Sequence, residues 1–441
     1  MDDIITNNTC QNHRRATPNE RGAACRGRIY WLWFPSLLAG DGMLAAVVML
    51  SLIMLRRFGL NNAQATLYMS LVCLPLLARP LMEMVVTMFR GTTKVWVLSA
   101  EFVSAMALWA VAFLLPTQYW LQALTCFMPV VVAAGMFYNI AVERFYTDTC
   151  HTVARNKEQI ATLARCVALM AGFGVTTMLA GNMEVVTRNV RYSWSMAMYV
   201  MAGVEFALWL WHSIFLPGAG RRCAADKDLY GLARGEYANA ADSMARGLSN
   251  RFMLYFAIAY CAPMALLATM PPLFMIDAPH NGGLGLAPQE IGLTMGTIGS
   301  AALFVGLTAA GAAIRKLGLR CCMLPITIMA AGYSAAMLYL SYNPASSLAV
   351  VASVCLGAFL TLGMGARALD EATSRFAARQ RGAVLRKAVT RSLMALTVTA
   401  GSMFAGLLQT NIGYRQLFIA STAAFGVPVA MAVIHTIIYK E

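Results

Sequence analysis

Apolar residues run in long blocks through most of the chain. Twelve blocks reach the roughly 20 residues that a helix needs to cross a bilayer: residues 30–55, 64–89, 95–115, 119–141, 159–181, 192–215, 252–276, 288–314, 321–341, 346–369, 383–409 and 414–438. The longest polar stretch, 217–250, follows the sixth block, so the blocks divide six and six. The pattern predicts an all-α membrane protein with a tail over 1–28, a six-helix bundle over 29–216, a linker over 217–250 and a second bundle over 251–441. The tail is polar and too long for the charged region of a signal peptide, and it reads as a cytoplasmic segment.

Composition agrees. The chain is 59% hydrophobic, only 12% charged, and has a mean hydropathy of +0.61. A water-soluble chain carries about a quarter charged residues. The net charge of +14 would suit nucleic acid, but the basic residues fall in short runs between apolar blocks, as loop bias in a multispanning protein requires. With the amino terminus inside, 26 of the 34 Lys and Arg lie on the inner side, 5 on the outer side and 3 within spans. Both termini are therefore expected in the cytoplasm. The 11 cysteines fall mostly inside apolar runs, without a CxxC pair or metal spacing, so free thiols are expected.

The two halves echo one another. "FGLNNAQATLYMSL" (58–71) precedes the second block and "LGLAPQEIGLTMGT" (284–297) the eighth, each placing Gly-Leu just outside a polar helix start. Repeated bundles around a midplane site are a plan of secondary transporters.

Ionisable residues inside spans carry the chemistry, because each costs on the order of 3 kcal/mol at bilayer depth unless it faces a cavity or a partner. Asp41, between Gly40 and Gly42, reads as a carboxylate that takes up and releases a proton, or as a structural hydrogen-bond partner of a neighbouring helix. Arg79, followed by Pro80, suits forked recognition of a carboxylate and is the expected partner of Asp41. The alternative is an i,i+4 packing pair with Glu83. Glu83, Glu101 and Glu205 are further candidates for facing a substrate cavity. Asn139, Glu143 and Arg144 form either a gate network or a solvated helix end. Arg165 reads as a side chain reaching back to the inner surface, and Arg367, Asp370 and Glu371 as an interfacial cluster. Tyr and Trp at span ends match interfacial belts. The histidines are scattered, without partners close in sequence. No Walker loop, HExxH, GxSxG or paired metal ligand occurs, so neither enzyme chemistry nor a cofactor or metal is expected.

Twelve spans, inside termini and a central linker resemble the major facilitator superfamily. Its signature loop G-x-x-x-D-x-x-G-x-R/K has a copy here between spans eight and nine: Gly311, Arg315 in the acidic slot, Gly318 and Arg320. In the first half Gly91 matches, Lys94 falls one position past the basic slot, and Met88 occupies the acidic slot. "LAGDGMLAAVVMLSLIMLRRFGL" (38–60), "LPLLARPLM" (74–82) and "NIAVERFY" (139–146) are similar to the branch containing the muropeptide permeases (AmpG type). That resemblance implies a monomeric, proton-coupled symporter of a bacterial inner membrane that carries an anionic cell-wall muropeptide, with Asp41 as the proton site and Gly311, Arg315, Gly318 and Arg320 among its gate residues. The seventh span lacks the charges of those relatives. An uncoupled facilitator, or a receptor derived from a transporter, remains the alternative.

Overall fold

The computed structural model describes residues 35–88, 93–149, 157–216, 235, 248–344, 346–378 and 383–438. The tail and most of the linker expected from sequence lie outside the described residues, as does Gly91. Among the described residues eleven continuous helices are long and apolar enough to cross a membrane. In chain order these are α1 Pro35–Arg57, α2 Asn62–Val86, α3 Thr93–Leu114, α4 Trp120–Tyr146, α5 Gln159–Thr187, α6 Val190–Phe215, α7 Phe252–Ile276, α8 Pro288–Leu317, α9 Leu319–Tyr342 and α10 Leu348–Ala377. The eleventh, Val384–Thr436, is too long for one crossing. It bends at Gly413, whose φ of 79° lies in the left-handed region that only glycine enters freely. The bend separates α11 (384–412) from α12 (414–436), and the twelve spans of the sequence pattern are all present.

Local chemistry sets the helix ends. The Asn61 side chain accepts from the Gln64 backbone N–H, while Gln64 reciprocates to the Asn61 N–H, a capping box that starts α2. Asn189 caps α6 through the Tyr192 N–H. Helices α4 and α10 run past their apolar blocks, to Tyr146 and Ala377, and so carry Glu143, Asp370 and Glu371 on ordered helical turns.

The helices pack within each half, with α3 against α4 and α6 in the first, and α10 against α8 and α9 in the second. The halves meet along α2–α11, α5–α8 and α1–α7. Two of these seams are glycine-dependent. A Cβ on Gly296 of α8 would lie 2.2 Å from the Gly174 Cα of α5, and a Cβ on Gly406 of α11 would lie 2.0 Å from the Thr66 hydroxyl of α2. At the α5–α8 crossing both helices widen into a π-turn, Met170–Val175 facing Gly292–Ile298. Such turns recur at functional sites. Backbone-to-backbone contact replaces the hydrophobic driving force that lipid does not provide between helices.

Gly296→Val should therefore lower the melting temperature of the detergent-solubilised protein, since overpacking costs about 1–3 kcal/mol. Gly203→Val, where an added Cβ meets nothing within 4 Å, should leave it unchanged. Equal melting of the two variants would contradict the close seam.

Candidate functional site: a charged opening between the halves

One end of the bundle is locked. Asp277, just past α7 and 2% exposed, receives the Arg56 Nε at 2.5 Å from the end of α1. It also receives the Asn62 amide at 2.7 Å from α2 and the Tyr414 hydroxyl at 2.6 Å from α12. Asn62 also donates to Gln409 of α11 at 3.0 Å. Beside it Glu184 of α5 pairs with Arg57 and accepts from the Trp194 indole at 2.5 Å. A single buried carboxylate thus ties α1, α2, α7 and α12 together, with its charge compensated and its lone pairs filled, as burial requires. Sequence reading passed over Asp277. The available signal was an isolated acid at the end of an uncharged span, opposite a run of basic loop residues.

The other end opens between the halves. A cavity of about 140 Å³ is lined by Arg79 and Glu83 of α2, Glu143 and Arg144 of α4, and Lys387 of α11. The charges sit in two tiers. Along α2 and α11, Glu83 and Lys387 lie one helical turn, about 6 Å, nearer the open end than Arg79 and Arg391. Glu143, bonded to Lys387, belongs to the shallower tier, and Asp41 and Arg165 to the deeper one. Asp41 and Arg165 form an ion pair of 3.3 Å with side chains 46% and 47% accessible. Their shared field includes Arg391, Arg79 and Lys387, which places Asp41 toward the gap between the halves. Lys387 reaches Glu143 across the gap at 3.4 Å, and Arg391 pairs with Asp370 at 3.5 Å.

The glycines around Asp41 explain the deep pair. A Cβ on Gly42 would lie 2.3 Å from the Arg165 carbonyl oxygen, so α1 and α5 touch by their backbones there. Asn139 lies over Gly40, with its Oδ1 2.8 Å from where a Cβ would sit, and its amide donates to the Gly135 carbonyl at 2.8 Å.

Several sequence expectations are corrected by this geometry. Asp41 pairs with Arg165 rather than Arg79, because the Gly42 contact brings α5, not α2, against it. Arg165 accordingly faces a carboxylate instead of reaching to the surface. Glu101 and Glu205 do not line the opening: both are buried in the first half, on α3 and α6, and Glu101 bonds His212. His212 thus has a partner 111 positions away, beyond the reach of local spacing. Arg79, Glu83, Asn139, Glu143 and Arg144 do come together with Asp41. Lys387 and Arg391 join them, though the sequence offered no more than a basic start to the eleventh span.

The signature-loop residues stand apart from this opening. Gly318, with φ 83°, turns α8 into α9, Arg320 donates to the Thr436 carbonyl of α12 at 2.9 Å, and Gly311 lies under Arg367 and Arg315. The interfacial cluster is a chain of ion pairs, Arg367–Glu371 at 3.5 Å and Glu371–Arg375 at 2.8 Å.

The deep tier holds three arginines and two aspartates, Asp41 paired with Arg165 and Asp370 with Arg391. Arg79 differs from the rest. Its Nε is buried without a hydrogen-bond partner, while its electrostatic neighbours are Arg391, Asp41, Glu83 and Glu143. An unpaired guanidinium beside an opening of this size is suited to holding an anion.

No protein-family model matches the sequence, and no curated protein matches it. Solved structures do match. The nucleoside transporter NupG has a TM-score of 0.64 at 13% identity, over 92% of this chain and 99% of that one. A bacterial homologue of the human lysosomal transporter Spinster, in an inward-facing and unoccupied conformation, has a TM-score of 0.69 at 14% identity, over 93% and 97%. A structure from a study of substrate recognition in proton-dependent oligopeptide transporters has 0.63 at 13%, over 93% and 97%. The chain has the major facilitator fold, with twelve membrane-spanning helices in two six-helix bundles.

Removing the Asp277 carboxylate should loosen the locked end, because a hydrogen bond to a charged group contributes about 2 kcal/mol. Spin labels at Val186 and His280, one in each half, should give a longer and broader distance distribution in Asp277→Ala than in the parent background. An unchanged narrow distribution would show that the seam holds without Asp277.

Proposed function

We propose that the protein is a secondary active transporter that takes up an anionic solute with protons by alternating access, in the inner membrane of a bacterium and with both termini in the cytoplasm. The observation that carries this reading is the unpartnered Arg79 Nε in the deep tier of a cavity shared by both halves. The basic-residue count puts that cavity on the cytoplasmic side and the Asp277 lock on the outer side. The described conformation is then tied shut on the outer side and bridged on the inner side by the Lys387–Glu143 pair, and the bundles over 29–216 and 251–441 are the halves that rock against one another.

Charge balance gives the cycle. An anion entering the opening is drawn to Arg79 and Arg391 and competes with Asp41 for Arg165. Asp41, losing its counter-ion, takes up a proton, and returns it when the anion leaves and the Arg165 pair re-forms. Lys387–Glu143 acts as the inner gate pair. It is accessible and so weak, on the order of 0–1 kcal/mol, as a gate that opens each cycle must be. The resemblance of residues 38–60, 74–82 and 139–146 to muropeptide permeases favours an anionic muropeptide as the solute. The solved neighbours, named as transporters of nucleosides or oligopeptides, support transport by this fold without choosing among solutes.

The test is uptake of a labelled anhydro-muropeptide into proteoliposomes with and without an inward proton gradient. Gradient-driven uptake is expected in the wild type. Arg79→Ala should weaken it at least tenfold at fixed solute concentration, matching the 1.5–3 kcal/mol of a charged hydrogen bond. Asp41→Asn should abolish the dependence on the gradient. Uptake indifferent to the gradient in the wild type would identify a facilitator, and binding without uptake a receptor.

A further inference from the structure

The first half holds a second set of ionisable groups, behind α1 and on the side away from Asp41. Ala39, Met43 and Val47 face it, whereas Asp41, two residues from Ala39 and from Met43, projects from the opposite face of the same helix. Glu101 of α3 and His212 of α6 both have side chains without accessible surface. His212 Nδ1 lies 2.9 and 2.8 Å from the two carboxyl oxygens of Glu101, so its proton is shared with that carboxyl. The other ring nitrogen, Nε2, is buried without a partner.

Glu205 lies two turns before His212, on the same stripe of α6, and is 5% exposed. It has no hydrogen bond or ion pair among the described residues, and with Glu101, Ser104 and Tyr138 it lines a small cavity of about 10 Å³, close to the lower limit for a single water. The two carboxyl groups interact electrostatically.

Among the described residues the surroundings supply no cation to neutralise them. From α4 the facing groups are Tyr138, which donates to the Ser36 carbonyl at 3.0 Å, and Tyr146, which is hydrogen-bonded to the Ser36 hydroxyl. From α1 the charged side chains are Asp41, Arg56 and Arg57, and from α5 Arg165 and Glu184; Asp41 and Arg165 are paired with each other on the far face, and Arg56 is bound to Asp277 at the locked end. Glu184 of α5 is engaged with Arg57 and Trp194 at the locked end. Lys94 of α3 caps the end of α6, donating to the Leu216 carbonyl at 2.6 Å, one turn beyond His212. Two carboxyl groups and one imidazole, packed in apolar surroundings, cannot all shed their protons, since an uncompensated buried charge costs several kcal/mol.

We propose that Glu205, together with the Glu101–His212 pair, is a proton-binding site of the amino-terminal half, distinct from Asp41: the Glu205 carboxylate takes up one proton to become a neutral acid and releases it as the carboxylate. The unpartnered His212 Nε2 is a second position at which a proton converts the pair to imidazolium–carboxylate, neutral overall. On the transporter reading above, on which this consequence rests, the site makes uptake measured at equal pH on both sides of the membrane vary with that pH, in Asp41→Asn as in the wild type.

The site is tested without any solute. The purified protein in lipid nanodiscs is titrated between ordinary carboxyl and lysine values while infrared difference spectra record carboxylic-acid C=O stretching. The expected result is a titrating buried-acid band present in the wild type and in Asp41→Asn, and lost in Glu205→Gln. Glu205→Asp, which keeps the acid but shortens it, should move the band, and His212→Gln should move its midpoint. A wild type without the band overturns the proposal, as does a band that persists in Glu205→Gln or stays at the wild-type frequency in Glu205→Asp. An unchanged midpoint in His212→Gln removes the imidazole from the site. The spectra read the protein alone, so a failed uptake experiment leaves this result standing, and the reverse holds too.

Discussion

Hydrocarbon offers no water to a charged side chain, so every ionisable group carried into the bundle must find a partner, a water-filled opening or a proton. This protein uses all three. Asp277 is neutralised and hydrogen-bonded from three directions. Asp41 and Arg165 face the opening between the halves. Glu101 and Glu205 are enclosed with an imidazole and no cation. The three solutions occupy three places along the bundle, and together they divide it into a locked end, an open end and a polar interior behind the first span.

The seams between the halves follow from a different constraint. Lipid is as apolar as a leucine side chain, so association depends on close contact rather than on escape from water. Gly174 with Gly296, and Gly406 with Thr66, bring the helices to backbone contact. Paired π-turns widen α5 and α8 where they cross. The same device positions the charged site: Gly42 lets α1 rest on the α5 backbone, and that approach, rather than any attraction planned along one helix, delivers Arg165 to Asp41.

The ion pairs are graded in strength along this axis. The Arg56–Asp277 contact is short and its carboxylate nearly inaccessible, so water does not compete for it. The Lys387–Glu143 contact is longer and both partners are accessible, so it is easily exchanged for solvent or solute. The molecule is firmly tied at one end and weakly bridged at the other.

The span count, the six-and-six division and the class of fold were legible in the sequence, because a helix that crosses a bilayer must be apolar over a fixed length and that requirement leaves a local signature. The presence of Asp41, Arg79, Glu83 and Glu143 inside or beside spans was legible for the same reason: charge is conspicuous where almost none is tolerated. Which charge meets which was decided only by tertiary structure. Arg165 lies 124 positions from Asp41, His212 111 from Glu101, and Asp277 221 from Arg56. Helical periodicity relates residues three, four and seven apart and says nothing about partners on another helix. Those pairings depend on how closely the helices approach and on how each is rotated about its axis, and for Asp41 and Arg165 the approach is set by the Gly42 contact, whose counterpart surface lies elsewhere in the chain.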